Sequence, residues 1–94
     1  MKAELLQRDR FDFDDGMMLE MVIWRVPKPV LGSKHSYKYR LFYGRPGKRV
    51  VAYDNERPKG DHRHLGNREE RYMFINVETL VRDFLADVQR WRSK

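Results

Sequence analysis

Ninety-four residues suit one domain, and 20 Lys and Arg against 14 Asp and Glu leave a net charge of +6. With 40% hydrophobic and 36% charged residues, the chain can build one modest core under a very polar surface. Ten Phe and Tyr and two Trp argue against disorder. The lack of cysteine excludes disulfide frameworks, thiol nucleophiles and Cys-based zinc sites. No apolar run approaches the roughly 20 residues of a membrane span. The opening Met1-Lys2-Ala3-Glu4 has no apolar signal region, which points to the cytoplasm.

Residues 3–13 put Leu5, Phe11 and Phe13 on one parity and predict an edge strand. Asp14-Asp15-Gly16 predicts a hairpin, because Asp-Gly accepts the positive φ of a tight turn. Residues 17–26 are apolar on both parities. Val22, Ile23, Trp24 and Val26 favour a strand there, and two apolar faces favour a central one. Pro27 and Pro29 end it, since proline has no N–H for a ladder. A loop over 28–34 leads into an alternating strand over 35–43. Tyr37, Tyr39, Leu41 and Tyr43 form one side, and Ser36, Lys38, Arg40 and Phe42 the other. Gly44-Arg45-Pro46-Gly47 reads as a turn and 48–54 as the next strand.

Residues 55–71 contain one strongly apolar side chain, Leu65, and read as a long loop of the kind that often carries function. A short strand is expected at 72–74. Asn76 then suits an N-cap, and Val77, Leu80, Val81, Phe84, Leu85, Val88 and Trp91 form a stripe at helical spacing. The expected fold class is α+β: an antiparallel β-meander of about four strands with one C-terminal helix packed on one face. The helix is expected over the Tyr37–Tyr43 side. The reverse placement, which would leave the tyrosines as a stacking platform, stays open. Trp24 and Trp91 read as core, as do at least two of the tyrosines.

The charge is concentrated. Residues 25–71 carry thirteen basic and five acidic side chains, net +8, whereas 1–24 stand at −3. A basic segment interleaved with tyrosine suits an anionic, base-bearing polymer. Within it lies Asp61-His62-Arg63-His64. On an extended chain His62 and His64 project to one side and Arg63 to the other. Two imidazoles that titrate near neutrality suit general acid–base work on a phosphodiester, one taking the 2′-hydroxyl proton and the other protonating the leaving 5′-oxygen. Asp61 could orient a ring. Arg63, Lys59, Arg57 and Arg45 could hold phosphate, with Lys38 and Arg40 on the neighbouring strand, while Tyr53 and Asp54 could shape the site. His-x-His also begins many metal sites, with Asp61, Asp54, Glu56 or His35 as the third ligand. A polar surface loop with inert histidines fits the same residues.

Tyr37-Lys38-Tyr39-Arg40-Leu41, Gly44, Val50 to Glu56, Lys59 to His64 and the ending Val81 to Val88 together resemble the TumE family of small toxins from bacterial and archaeal toxin–antitoxin modules. The resemblance spans essentially the whole chain, and Tyr53-Asp54-Asn55 and His62-x-His64 are its most specific parts. It implies a toxin of a type II module held inactive by an antitoxin encoded alongside. Joined to the residues above, it leads to a metal-independent endoribonuclease that uses His62 and His64 in a basic loop, needs no cofactor and takes RNA as substrate. The alternatives are a non-enzymatic nucleic-acid-binding or protein-interaction module, and a metal-dependent hydrolase that uses the same histidines. Homo-oligomerisation is left open.

Overall fold

The computed structural model describes residues 2–94. Six strands form one antiparallel sheet in chain order: β1 (Glu4–Asp12), β2 (Met18–Arg25), β3 (Tyr37–Arg45), β4 (Lys48–Asp54), β5 (His62–Leu65) and β6 (Arg68–Arg71). One helix, α1 (Val77–Arg92), follows. The meander and the C-terminal helix match the expected α+β class, with six strands in place of about four.

The two extra strands lie inside residues 55–71, the segment that reads as a loop. Their side chains, His-Arg-His-Leu and Arg-Glu-Glu-Arg, carry no apolar alternation, so periodicity does not mark them. Their turn does leave a mark. Leu65 pairs with Arg68 across Gly66-Asn67, and Gly66 takes φ 64°, as a two-residue hairpin with glycine in its first central position requires. Residues 72–74, expected as a short strand, run outside the sheet toward the helix.

Strand period two divides the sheet into two faces. Leu19, Met21 and Ile23 of β2 stand opposite Tyr43, Leu41 and Tyr39 of β3, and Leu41 and Tyr43 stand opposite Tyr53 and Val51 of β4. Leu80, Phe84 and Val88 of α1, spaced four apart, are buried with this set. The helix therefore covers the side of Tyr39, Leu41 and Tyr43, while Tyr37 at the strand entrance stays half-buried. Asn76 caps the helix, its side chain accepting the Thr79 N–H at 2.7 Å.

Among the described residues, no layer covers the other face. Glu20, Val22 and Trp24 of β2, Lys38, Arg40 and Phe42 of β3, Ala52 and Asp54 of β4, and the alternate residues of β5 and β6 lie there. Trp24, expected in the core, is half-buried on this face, opposite Lys38. Trp91 is 36% exposed and lies against Gly66. A meander of this length offers more apolar side chains than one helix can cover, and these two take the margins.

The Phe84 ring is fully buried and meets the Tyr53 ring edge-on at 5.7 Å. Phe84→Ala should lower stability by about 3–5 kcal/mol in equilibrium urea unfolding. A loss below about 1 kcal/mol, the size of an ordinary surface change, would show that the helix is not part of the core.

Candidate active site on the open sheet face

The pairing of β5 between β4 and β6 builds a cluster of four side chains. Asp54 stands opposite His62, Ala52 opposite His64, and His64 opposite Glu69. Opposed residues in an antiparallel ladder share a face, so Asp54, His62, His64 and Glu69 all point to the uncovered side. The two imidazole centroids lie 5.2 Å apart with the rings edge to face. Both histidines are largely buried, at 6% and 8% exposure, because flanking strands wall them on two sides.

The His62 ring is held at both nitrogens. Nδ1 lies 2.9 Å from the Gly60 carbonyl oxygen, which can only accept, so Nδ1 carries a hydrogen. Nε2 lies 2.8 Å from Asp54 Oδ1 and 3.3 Å from Glu69 Oε2. His64 Nε2 lies 3.2 Å from the same Glu69 oxygen. Burial holds the His64 pKa below the ordinary imidazole value, and the nearby Arg49 cation pushes it the same way. Glu69 has the opposite influence and does not outweigh them.

The Gly60 carbonyl is itself placed by a close backbone approach. A Cβ on Gly60 would meet the Gly32 carbonyl oxygen at 2.4 Å, and one on Gly32 would meet the Pro58 carbonyl oxygen at 2.3 Å. Both residues also adopt positive φ, 79° and 99°. Only glycine satisfies both demands. The β2–β3 and β4–β5 loops thereby lock together behind His62.

Asp61, expected to orient an imidazole of the pair, and Arg63, expected to hold phosphate, bond to other parts of the fold. Asp61 accepts hydrogen bonds from Ser33 Oγ at 2.7 Å, Tyr39 Oη at 2.6 Å and His35 Nε2 at 2.7 Å. The ring it orients is that of His35, whose Nδ1 accepts the Tyr37 N–H and whose plane stacks on Phe74 at 3.7 Å. Burial, followed by the bond to Asp61, holds the Tyr39 phenol far above its usual pKa, so it stays a donor. Arg63 turns toward the helix, where it donates to Tyr53 Oη, to the buried Asp87 and to Glu70. Tyr53 also donates to Asp87, and its ring belongs to the core. Asn55 is 1% exposed. Its Oδ1 accepts the Tyr39 N–H at 3.0 Å and its Nδ2 donates to the Tyr37 carbonyl at 2.7 Å. In Tyr53-Asp54-Asn55, therefore, only the middle residue faces the cluster.

Of the expected phosphate ligands, Lys38, Arg40 and Lys59 surround the cluster. Arg40 stands opposite Asp54 and bonds Glu20 at 3.0 Å, and Lys59 Nζ lies 3.7 Å from Glu69. Arg57 is exposed in the β4–β5 loop. Arg45 is at the other end of the sheet, where its Nε lies 3.2 Å from Met17 Sδ by the β1–β2 turn. Three shallow clefts adjoin the cluster. One of about 230 Å³ is lined by Arg40, Lys48, Arg49 and Asp54. One of about 330 Å³ is lined by Lys38, Arg40 and Asp54. The third, of about 190 Å³, is lined by Lys59, His62, Glu69 and Arg71. Glu69, Arg49 and Arg71 were not singled out from sequence. The Gly66-Asn67 turn was the available signal for Glu69, because a hairpin folded there returns Glu69 to the side of His64.

A small α+β domain with paired imidazoles and carboxylates on a basic open face is the class of protein that the coordinates define. The family description Toxin TumE matches residues 2–92, and the chain belongs to this family. It is thus a toxin whose family implies a partner antitoxin. No curated protein and no solved structure matches it. No helix among the described residues is long and apolar enough to cross a membrane.

Asn55→Ala would leave one buried donor and one buried acceptor unpaired, at about 1–3 kcal/mol each. The expected loss is about 2–6 kcal/mol in urea unfolding. An unchanged denaturation midpoint would show that this clasp between β3 and β4 does not hold the site's framework.

Proposed function

We propose that this toxin is an endoribonuclease whose chemical step is proton transfer by His62 and His64, acting on cytoplasmic RNA laid across the open face. The observation that carries the reading is the pairing of two adjacent imidazoles in unlike environments within a cationic surround. His64 is biased toward its neutral form and suits the general base. His62, with Nδ1 on the Gly60 carbonyl and Nε2 2.8 Å from the Asp54 carboxylate, suits the general acid.

In the reaction His64 Nε2 takes the proton of a ribose 2′-hydroxyl. The 2′-oxygen bonds to phosphorus, the bond from phosphorus to the 5′-oxygen breaks, and that oxygen takes its proton from His62. The products are a 2′,3′-cyclic phosphate and a free 5′-hydroxyl. Arg40, Arg49 and Arg71 flank the cluster, with Lys38, Lys59 and Arg57 beyond, and they would bind the backbone and offset charge on the phosphorane oxygens. Asp54 flanks His62, and Glu69, near both Nε2 atoms, would stabilise the imidazolium that His64 becomes. An acidic antitoxin segment would complement the same face and exclude RNA from it.

His62→Ala and His64→Ala should each slow cleavage of labelled RNA by about 10²- to 10⁴-fold and relieve growth inhibition, while circular dichroism stays that of the folded domain. Full cleavage by both variants would remove the histidines from the mechanism. Salt-sensitive RNA binding by the wild type with no products would leave a non-enzymatic binding module. The acid limb of the pH–rate profile should follow His64, since a protonated base cannot act. Arg49 lowers the His64 pKa, so Arg49→Gln should raise it and start the loss of rate at a higher pH. A limb that stays in place, or moves lower, would separate His64 from the base role.

A further inference from the structure

The donors gathered on the open face also describe a metal site. One atom each from Asp54, His62 and His64 lies within 4.8 Å of the others, and Glu69 on β6 brings a carboxylate oxygen near both Nε2 atoms. The individual separations are 2.8 Å from His62 Nε2 to Asp54, 3.3 Å from His62 Nε2 to Glu69 and 3.2 Å from His64 Nε2 to Glu69. A tetrahedral zinc ion with bonds of about 2.0–2.1 Å sets its ligands about 3.3 Å apart. These three separations lie near that edge length.

Three further features favour a cation. The Gly60 carbonyl fixes hydrogen on His62 Nδ1, so in the neutral ring the Nε2 lone pair points into the cluster, the arrangement metal-ligating histidines use. Asp54 Oδ1 is buried and accepts no hydrogen bond among the described residues, although Nε2 is 2.8 Å away. With both Nε2 lone pairs given to a metal, two carboxylates and two neutral imidazoles carry a charge of −2, which a divalent ion neutralises. The donor set of two nitrogens and two oxygens suits zinc and its neighbours rather than magnesium or calcium, which take oxygen ligands.

We infer that Asp54, His62, His64 and Glu69 form a binding site for one divalent transition-metal ion of the zinc class, and that the bound ion switches the toxin off. The site stands on the four donors alone; the inhibition rests on the proton-transfer reading above. A metal held by the Nε2 lone pairs of both rings leaves no nitrogen on that side to accept or deliver a proton. The ion and the RNA-cleaving state would then be alternative occupants of one place.

The test uses the full chain, stripped with EDTA, dialysed and titrated with Zn²⁺ by calorimetry. The stoichiometry should be one ion per chain, and a chromophoric chelator should recover it. Co²⁺ should give the visible d–d bands of a tetrahedral nitrogen–oxygen site. Asp54→Asn and His64→Gln should each weaken binding by at least the roughly 10- to 100-fold that loss of an outer-shell partner costs. Glu78→Gln, an exposed helix carboxylate, should not. Glu69→Gln keeps the fold testable if His64→Gln unfolds. No stoichiometric binding, or binding that survives Asp54→Asn and Glu69→Gln unchanged, overturns the site and leaves the proton-transfer reading intact. One equivalent of Zn²⁺ should abolish RNA cleavage, and EDTA should restore it. Cleavage that continues in the loaded protein overturns the inhibition. Cleavage that appears only in the loaded protein confirms the site and overturns metal-free proton transfer instead.

Discussion

The pairing of β4 with β5, in the register that sets Asp54 opposite His62, decides both faces of the molecule at once. On the uncovered side it brings a carboxylate to an imidazole. On the helix side it sets Tyr53 opposite Arg63, and these two meet the buried Asp87 of α1. Because side chains alternate with period two, a slip of one residue would put the histidines under the helix and Arg63 in the open. The apolar Val51, Tyr53 and Leu65 hold the register against such a slip, since they must face the core. The polar cluster is thus positioned by hydrophobic packing on the reverse of the same strands.

The loops behind His62 act as a rigid support. Asp61 gathers Ser33, His35 and Tyr39, and Asn55 clasps the backbone at Tyr37 and Tyr39. The Gly32–Gly60 approach completes the lock and aims a carbonyl at Nδ1 of His62. An imidazole fixed at one nitrogen by backbone has a defined tautomer, which proton transfer and metal binding both need. The residues of Tyr53-Asp54-Asn55 and His62-x-His64 divide accordingly. Asp54, His62 and His64 face the uncovered side, while Tyr53 and Asn55 keep the strands that carry them in place.

The basic charge of the middle segment spreads over several strands and loops. Lys38, Arg40, Arg49, Lys59 and Arg71 converge on the cluster from β3, β4, β6 and the β4–β5 loop. Arg45 and Arg63 belong to the same run of sequence and are directed elsewhere, one to the far turn and one to the helix. Surface field and local contact therefore have separate origins. Many cations raise the potential of the face, whereas only a few lie beside the paired imidazoles.

Features that repeat with a local period could be read directly. The antiparallel meander, the Asn76 cap, the stripe of Leu80, Phe84 and Val88, and the shared side of His62 and His64 all follow from spacing along the chain. The His-x-His reading and the TumE resemblance came from the same local strings. The hairpin of β5 and β6 escaped because its strands bury little apolar surface and so lack alternation. Glu69 as a partner, Arg63 as a helix contact and Asp61 as the support of His35 depend on which strands lie side by side. Such neighbours are separated by long stretches of chain and are chosen by core packing, and a one-dimensional pattern holds no record of that choice.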